Sequence, residues 1–161
     1  GTDRKPLSLK VYIAARSARR EKAQDIARRI VLAHQVVTSR WVTDDAVWQA
    51  GKADPEGAAM TDLDDMERAN GCLHLYDGQG VGNLIEFGYM LKAGKWLWVV
   101  GGRAGPFGHL RRVVHFPTVD EWAAEYLRKP ALKRSKPWAS MSPAERLTAQ
   151  SSRVVRERAG E

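Results

Sequence analysis

The stretch Gly71-Cys-Leu-His-Leu-Tyr-Asp-Gly-Gln-Gly-Val-Gly-Asn-Leu-Ile-Glu-Phe-Gly-Tyr-Met90 constrains the fold more than any other. Residues 71–77 are a short apolar run bounded by glycine, the pattern of a strand covered on both faces. Gly78 to Gly82 forms a turn. Asn83 is placed to cap a helix that continues to about Lys95. Strand, glycine turn and apolar helix in that order form one βα unit of an α/β fold. Glu86 sits inside the helix's apolar run, between Leu84-Ile85 and Phe87. Its neighbours three and four residues away are Gly82, Asn83, Tyr89 and Met90, none of them charged. A carboxylate in such company is costly unless it is paired or has chemical work to do. The plainer alternative is an acid in the first helical turn that answers the helix dipole.

The rest of the chain repeats the alternation. Leu7–Ala15 reads as a first strand and Ser17 as the N-cap of a helix to about residue 34, with Ala23, Ile26, Ala27 and Ile30 on one face. Gln35–Trp41 reads as a second strand. Residues Val42–Ala58, rich in Asp and Gly, read as a long loop of the kind used as a lid, with one helical turn around Trp48. A helix over Ala58–Asn70 is expected to turn Met60, Leu63, Met66 and Ala69 inward. After the Glu86 helix, Trp96–Gly101 forms an uncharged fourth strand. Gly102–Arg112 is a loop, Val113–Phe116 a fifth strand, and Thr118 caps a helix to about Arg128. The expectation is a flavodoxin- or Rossmann-like α/β fold: five mainly parallel strands with helices on both faces. Residues 1–126 form the α/β domain. Residues 127–161 are a basic appendage, a connector to Ser142 and then a helix opened by Ser142-Pro143-Ala144-Glu145.

Charge supports that division. Of the net charge of +7, the last 35 residues supply +6, from nine Lys/Arg against three Glu. Such a tail is a solvated or partner-packing segment or a nucleic-acid contact; with only Trp138 as an aromatic, the nucleic-acid reading is not favoured. No stretch approaches the apolar length of a membrane span. The single cysteine, Cys72, lies in an apolar strand, which fits a reducing, cytoplasmic setting. The four histidines are scattered, so no structural zinc is expected; no cofactor is expected either.

In an open parallel sheet, ligands bind beyond the carboxyl ends of the strands. The segments there hold most of the unusual residues. Glu86, Asp77 and Asp62 can converge, and paired carboxylates suit chemistry at an anomeric carbon: one attacks C1′ and another handles the leaving group's proton. Asp77 reads equally as the first residue of an Asp-Gly turn, and Asp62 as one charge in the acidic run Asp62–Glu67. Tyr12 reads as a core residue of the first strand or as a partner of the acid. Arg16, Ser17, Arg19 and Arg20 at a helix start suit a phosphate or form an exposed basic turn. Trp41 and Trp48 stack on a base or simply pack. Gly80, Gly82 and Asn83 let a ligand approach the turn's backbone. The spacing of this turn is not that of a dinucleotide fingerprint, because position 83 is Asn and no acid follows the next strand.

These residues together resemble the nucleoside 2-deoxyribosyltransferase superfamily, in particular its short members, often encoded by bacteriophages. The resemblance rests on Val11-Tyr-Ile-Ala-Ala-Arg16, Thr38-Ser-Arg-Trp41, Asp62-Leu-Asp-Asp65, Gly82-Asn-Leu-Ile-Glu-Phe-Gly-Tyr89, and Trp96-Leu-Trp-Val-Val-Gly101 followed by Phe107-Gly-His-Leu110. It spans about residues 8–125. It implies a metal-free enzyme, cytoplasmic (in a host's cytoplasm if phage-encoded), that cleaves the N-glycosidic bond of a 2′-deoxynucleoside or its 5′-monophosphate through a deoxyribosyl-glutamate intermediate. By position Glu86 matches the nucleophile, Asp62 the acid that protonates the base, and Tyr12 the residue that orients the nucleophile. The resemblance also implies a homo-oligomer, a dimer or larger. Transferases of the family often carry a sugar-contacting Asp six residues before the nucleophile. Gly80 stands there, with Asp77 as a substitute three residues earlier. The usual transferase C-terminal segment has no match, so the acceptor is left open between a second base and water. A non-catalytic nucleotide-binding module and an NAD-cleaving enzyme are the alternatives.

Overall fold

The computed structural model describes residues 8–103, 105–127 and 142–144. The 129–141 connector, the last helix beyond residue 144 and residue 7 of the expected first strand lie outside them. Five strands, β1 (Lys10–Ala14), β2 (Val36–Val37), β3 (Gly71–Tyr76), β4 (Trp96–Gly101) and β5 (Val113–Phe116), form one sheet in the order β2-β1-β3-β4-β5. Every pairing is parallel. This is the flavodoxin-like order, with the switch point between β1 and β3.

Helices α1 (Arg20–Leu32), α2 (Arg40–Thr43), α3 (Asp45–Ala53), α4 (Pro55–Arg68), α5 (Gly82–Lys92) and α6 (Val119–Tyr126) connect or follow the strands. Side-chain alternation divides them between the two faces. Tyr12 and Cys72 are register partners, and His74, two residues on, packs its ring on Phe87 of α5. On the opposite face Leu73 pairs with Trp98, whose ring meets Trp122 and Tyr126 of α6. Arg29 of α1 reaches Asp120 of α6 at 2.7 Å, so α1 shares the α6 face. The stripe Ala23, Ile26, Ala27, Ile30 is buried as its period predicts, and Thr118 caps α6 through Glu121 N at 3.2 Å.

Several local expectations are corrected. The second strand does not run from Gln35 to Trp41. It is two residues long, because side chains take over from the ladder. Ser39 Oγ accepts from Ile13 N at 3.1 Å, and the Trp41 indole N–H donates to Ile13 O at 2.9 Å. Trp41 therefore belongs to α2. The expected loop at 42–58 is mostly helix, with α3 and α4 joined at Asp54 alone. Asp44 and Asp54 cap these helices through Val47 N and Gly57 N, a use of Asp that a loop reading overlooks. Ser17 opens a 3-10 turn (Ser17–Arg19) and caps nothing. Asn83 lies inside the first turn of α5, and Val81 occupies the cap position without a side-chain bond.

On α4 the inward stripe is Asp62, Asp65, Met66 and Ala69, while Met60 is 63 % exposed and Leu63 40 %. Asp65 explains the rotation. Its fully buried carboxylate accepts from Arg40 N and Arg40 Nε, both at 2.8 Å, and pairs with Arg68. Satisfying a buried anion outweighs covering two side chains that are tolerable on a surface. At the other end of α4, Lys95 Nζ caps the carbonyls of Glu67 and Ala69 at 2.8 and 2.7 Å.

Gly71 begins β3 directly against the Trp98 ring, which a Cβ there would overlap. Gly71→Ala is expected to cost ~1–3 kcal/mol by overpacking. Urea unfolding measures it, and an unchanged midpoint would contradict this packing.

Candidate active site

The carboxyl ends of the strands open onto a cavity of about 610 Å³ between the end of β1 and the α2–α4 segment. Ala15, Ser17, Trp41, Trp48, Asp62 and Glu86 are among its walls. Local structure places each. Tyr12 stands on the α5-facing side of β1. Its hydroxyl donates to Glu86 Oε1 at 2.8 Å, which fixes the acid at the cavity edge. Asp62 arrives from α4, on the stripe that Asp65 turns toward the sheet. The Asp62 charge acts on the Tyr12 phenol and on Glu86.

The electrostatics of this trio follow from its burial. Loss of solvent raises Glu86 to about 8; the Tyr12 bond opposes the shift and the Asp62 charge adds to it. Burial raises Asp62 to about 6, reinforced by the Asp65 charge and countered by Tyr12 and Arg40. Burial followed by the Glu86 charge pushes the Tyr12 phenol well above its usual range, so it remains a neutral donor. Two acids with separated proton affinities in one cavity wall, one of them held by a phenol, can serve as acid and base.

Two of the predicted ligand-binding residues, Ser17 and Trp41, line the cavity. The others do not. Asp77 does not join Glu86 and Asp62. Its Oδ2 is held by Arg16 Nε at 2.7 Å and by the same guanidinium's second nitrogen at 2.6 Å, while Oδ1 accepts from Gln79 N. The bond from Arg16 holds the Asp77 carboxyl below its usual range. Gly80 (φ +92°) lies so close to Arg16 Cγ that a Cβ would meet it at 2.8 Å; glycine here serves that contact. Gly82 is open to approach. Asn83 is buried, its amide donating to Gln79 O and its Oδ1 without a partner among the described residues. The arginine group is likewise occupied. Arg19 donates to Leu75 O, and Arg20 to Trp41 O, Val42 O and Asp45. These arginines thus bond to the strand ends and to neighbouring acids.

Sequence reasoning missed the role of Asp65. Its signal was the spacing Asp62, Asp65, Met66, Ala69, a better single stripe than the purely apolar one. It also read Lys52 and Asp54 only as parts of a loop; both reach the cavity. Trp48, weighed as a lid residue, lies between Arg20 at 5.0 Å and Lys52 at 5.2 Å, tilted against Trp41 at 6.2 Å between centroids. Among the described residues no group of three or more His, Cys, Asp or Glu is placed to hold a metal ion, and no helix is long and apolar enough to cross a membrane. Comparison with protein-family models, with curated proteins and with solved structures finds no match.

Because folding raises the Glu86 pKa from 4.5 to about 8, the folded chain holds this proton more tightly than the unfolded one. That contribution to stability is complete below 4.5 and lost as pH rises through 8. His74, buried with neither ring nitrogen bonded among the described residues, is lowered to about 4, and its contribution is present above 6.5 and lost as pH falls toward 4. Thermal unfolding from pH 5 to 9 should show wild type losing stability relative to Glu86→Gln by an amount on the order of a few kcal/mol. Parallel curves for the two proteins would contradict the burial of Glu86.

Proposed function

We propose that this protein cleaves the N-glycosidic bond of a 2′-deoxynucleoside or its 5′-monophosphate and passes the deoxyribosyl group to a second base or to water. The observation that carries this reading is the Tyr12–Glu86 bond at 2.8 Å beside Asp62 in one cavity at the strand ends. In the first half-reaction a Glu86 carboxylate oxygen bonds to C1′. The C1′–N bond breaks, its electron pair stays on the base, and Asp62 delivers the proton that lets the base leave neutral. In the second, the acceptor's nitrogen or oxygen attacks C1′, gives its proton to Asp62, and releases Glu86 as carboxylate. Tyr12 holds the attacking oxygen and stabilises its charge when the ester breaks. The walls of Trp41 and Trp48 offer flat apolar surface to a base.

The test is incubation with each deoxynucleoside and deoxynucleoside monophosphate, with and without an excess of a second free base, read by chromatography and mass spectrometry. New nucleosides identify transfer; free base with deoxyribose or its 5-phosphate identifies hydrolysis. Glu86→Gln should lose activity by several orders of magnitude and Asp62→Asn by about 10²–10⁴-fold. Turnover that survives Glu86→Gln, or no turnover of any of these substrates, defeats the proposal.

The pH profile follows from the same two acids. The reactive form carries one proton across the pair, so kcat/KM should rise through about 6 and fall through about 8. A profile flat from pH 5 to 9 would contradict it.

A further inference from the structure

A second cavity, of about 830 Å³, lies between α5 and the segment after β4 that holds the 3-10 turn Gly105–His109. It shares no wall residue with the cavity of Glu86. Leu84, Gly88 and Leu91 recur at the spacing of one helix face and, with Phe87, form one wall; Phe107 and Leu110 belong to the other. Leu84, Phe107 and Leu110 stay 39, 62 and 43 % exposed, so this apolar lining is open to solvent and not part of the core. Gly88 is bare toward the cavity. Glycine inside a helix is less stable than alanine, yet a Cβ at Gly88 would have nothing within 4 Å. No neighbour in the chain needs that glycine among the described residues, and its backbone leaves room for a molecule to approach the helix closely.

Charge decides what kind of molecule fits. Among the described residues the charged walls are Lys92 and Arg112, both cations, with no acid beside them. Lys92 lies in the last turn of α5 and offsets the negative end of that helix. Arg112 has no such duty. Its guanidinium makes one long bond, 3.4 Å, to Lys95 O, and no ion pair among the described residues. Arg16, Arg20 and Arg40, by contrast, each hold a carboxylate.

We propose that this cavity binds a medium-chain aliphatic carboxylate. The two carboxylate oxygens take the fork of the Arg112 guanidinium, with Lys92 as a second cation, and the chain lies over Gly88 between the leucines and Phe107. The volume suits a small molecule. A second copy of the chain is the other occupant that an apolar face invites. A two-fold contact is isologous, so the patch would meet itself, cations against cations with no acid among its walls to pair them. An organic anion covers the same apolar surface and pairs the charge. The site does not depend on the glycosidic reading.

The test titrates the full chain, labelled with ¹⁵N, with decanoate, decanol and decyltrimethylammonium, each below its micellar concentration, followed by amide NMR and calorimetry. Decanoate should saturate at one molecule per chain and shift the amides of Gly88, Leu91 and residues 107–112 above all others. Decanol and the ammonium should bind more weakly by roughly ten-fold, and Arg112→Gln should weaken decanoate by a similar factor while leaving decanol unchanged. Gly88→Leu fills the floor and should abolish binding with the unfolding midpoint kept. If that variant does not fold, Arg112→Gln, a change at an exposed residue, decides alone. Equal binding of the three probes, or decanoate binding indifferent to Arg112→Gln, overturns the proposal. So do an absence of saturable decanoate binding and shifts confined to the basic last 35 residues. Sedimentation supplies the remaining outcome: a dimer that Gly88→Leu dissociates and decanoate leaves intact would assign this face to a second copy and overturn the ligand site.

Discussion

All five strands run in one direction, and the rest of the molecule answers to that constraint. A parallel sheet cannot be closed by hairpins, so successive strands are joined by crossovers, and the helices in them together with α6 cover the sheet's faces. Val11 through Ala14 and Leu97 through Val99 are fully buried as a result. The strands then need bulky apolar residues on both sides, which is why β4 reads Trp-Leu-Trp-Val-Val. The same geometry sends all the strand ends to one edge. Polar side chains placed just past those ends are gathered together without any local sequence signal to say so.

Buried charge appears in this protein in two forms, and the contrast is informative. Asp65 is an anion whose neighbours were arranged for it: two donors from Arg40 and a pairing with Arg68. It ties α4 to α2 and so holds Trp41 and Asp62 in their places. Among the described residues Glu86 has one phenolic donor and no ion-pair partner, and its carboxyl is raised to about 8. A satisfied buried acid holds structure together. An under-satisfied one at a cavity wall stores free energy that a reaction can draw on. Arg16 and Asp77 belong to the first class, although their positions at the strand ends suggested the second.

The α3–α4 segment shows how a chain builds a cavity wall from few residues. Asp54 ends one helix and caps the next, so no loop residue intervenes. Gly51 lets the two helices approach closely, since a Cβ there would come within 3.1 Å of Ala58 Cβ. Trp48 is then held by cations on two of its contacts and by Trp41 on a third. An aromatic wall fixed in this way offers a flat surface without ordering a flexible loop on binding.

The sequence by itself determined the α/β class, the five strands, the helices around Ile26, Glu86 and Trp122, and the prominence of Glu86. These follow from hydrophobic periods, glycine turns and one carboxylate out of place, all local properties. Only the tertiary structure decided where β2 stops, because the Ser39 and Trp41 side chains take Ile13's backbone bonds across a gap of more than twenty residues. It also decided which face of α4 turns inward, because Asp65 needs Arg40. Asp77 stays apart from Glu86, Asp62 and Tyr12 for the same reason: Arg16 holds it. An arginine and an aspartate at neighbouring strand ends satisfy each other before either can serve a ligand, and no spacing along the chain records which pairs will meet.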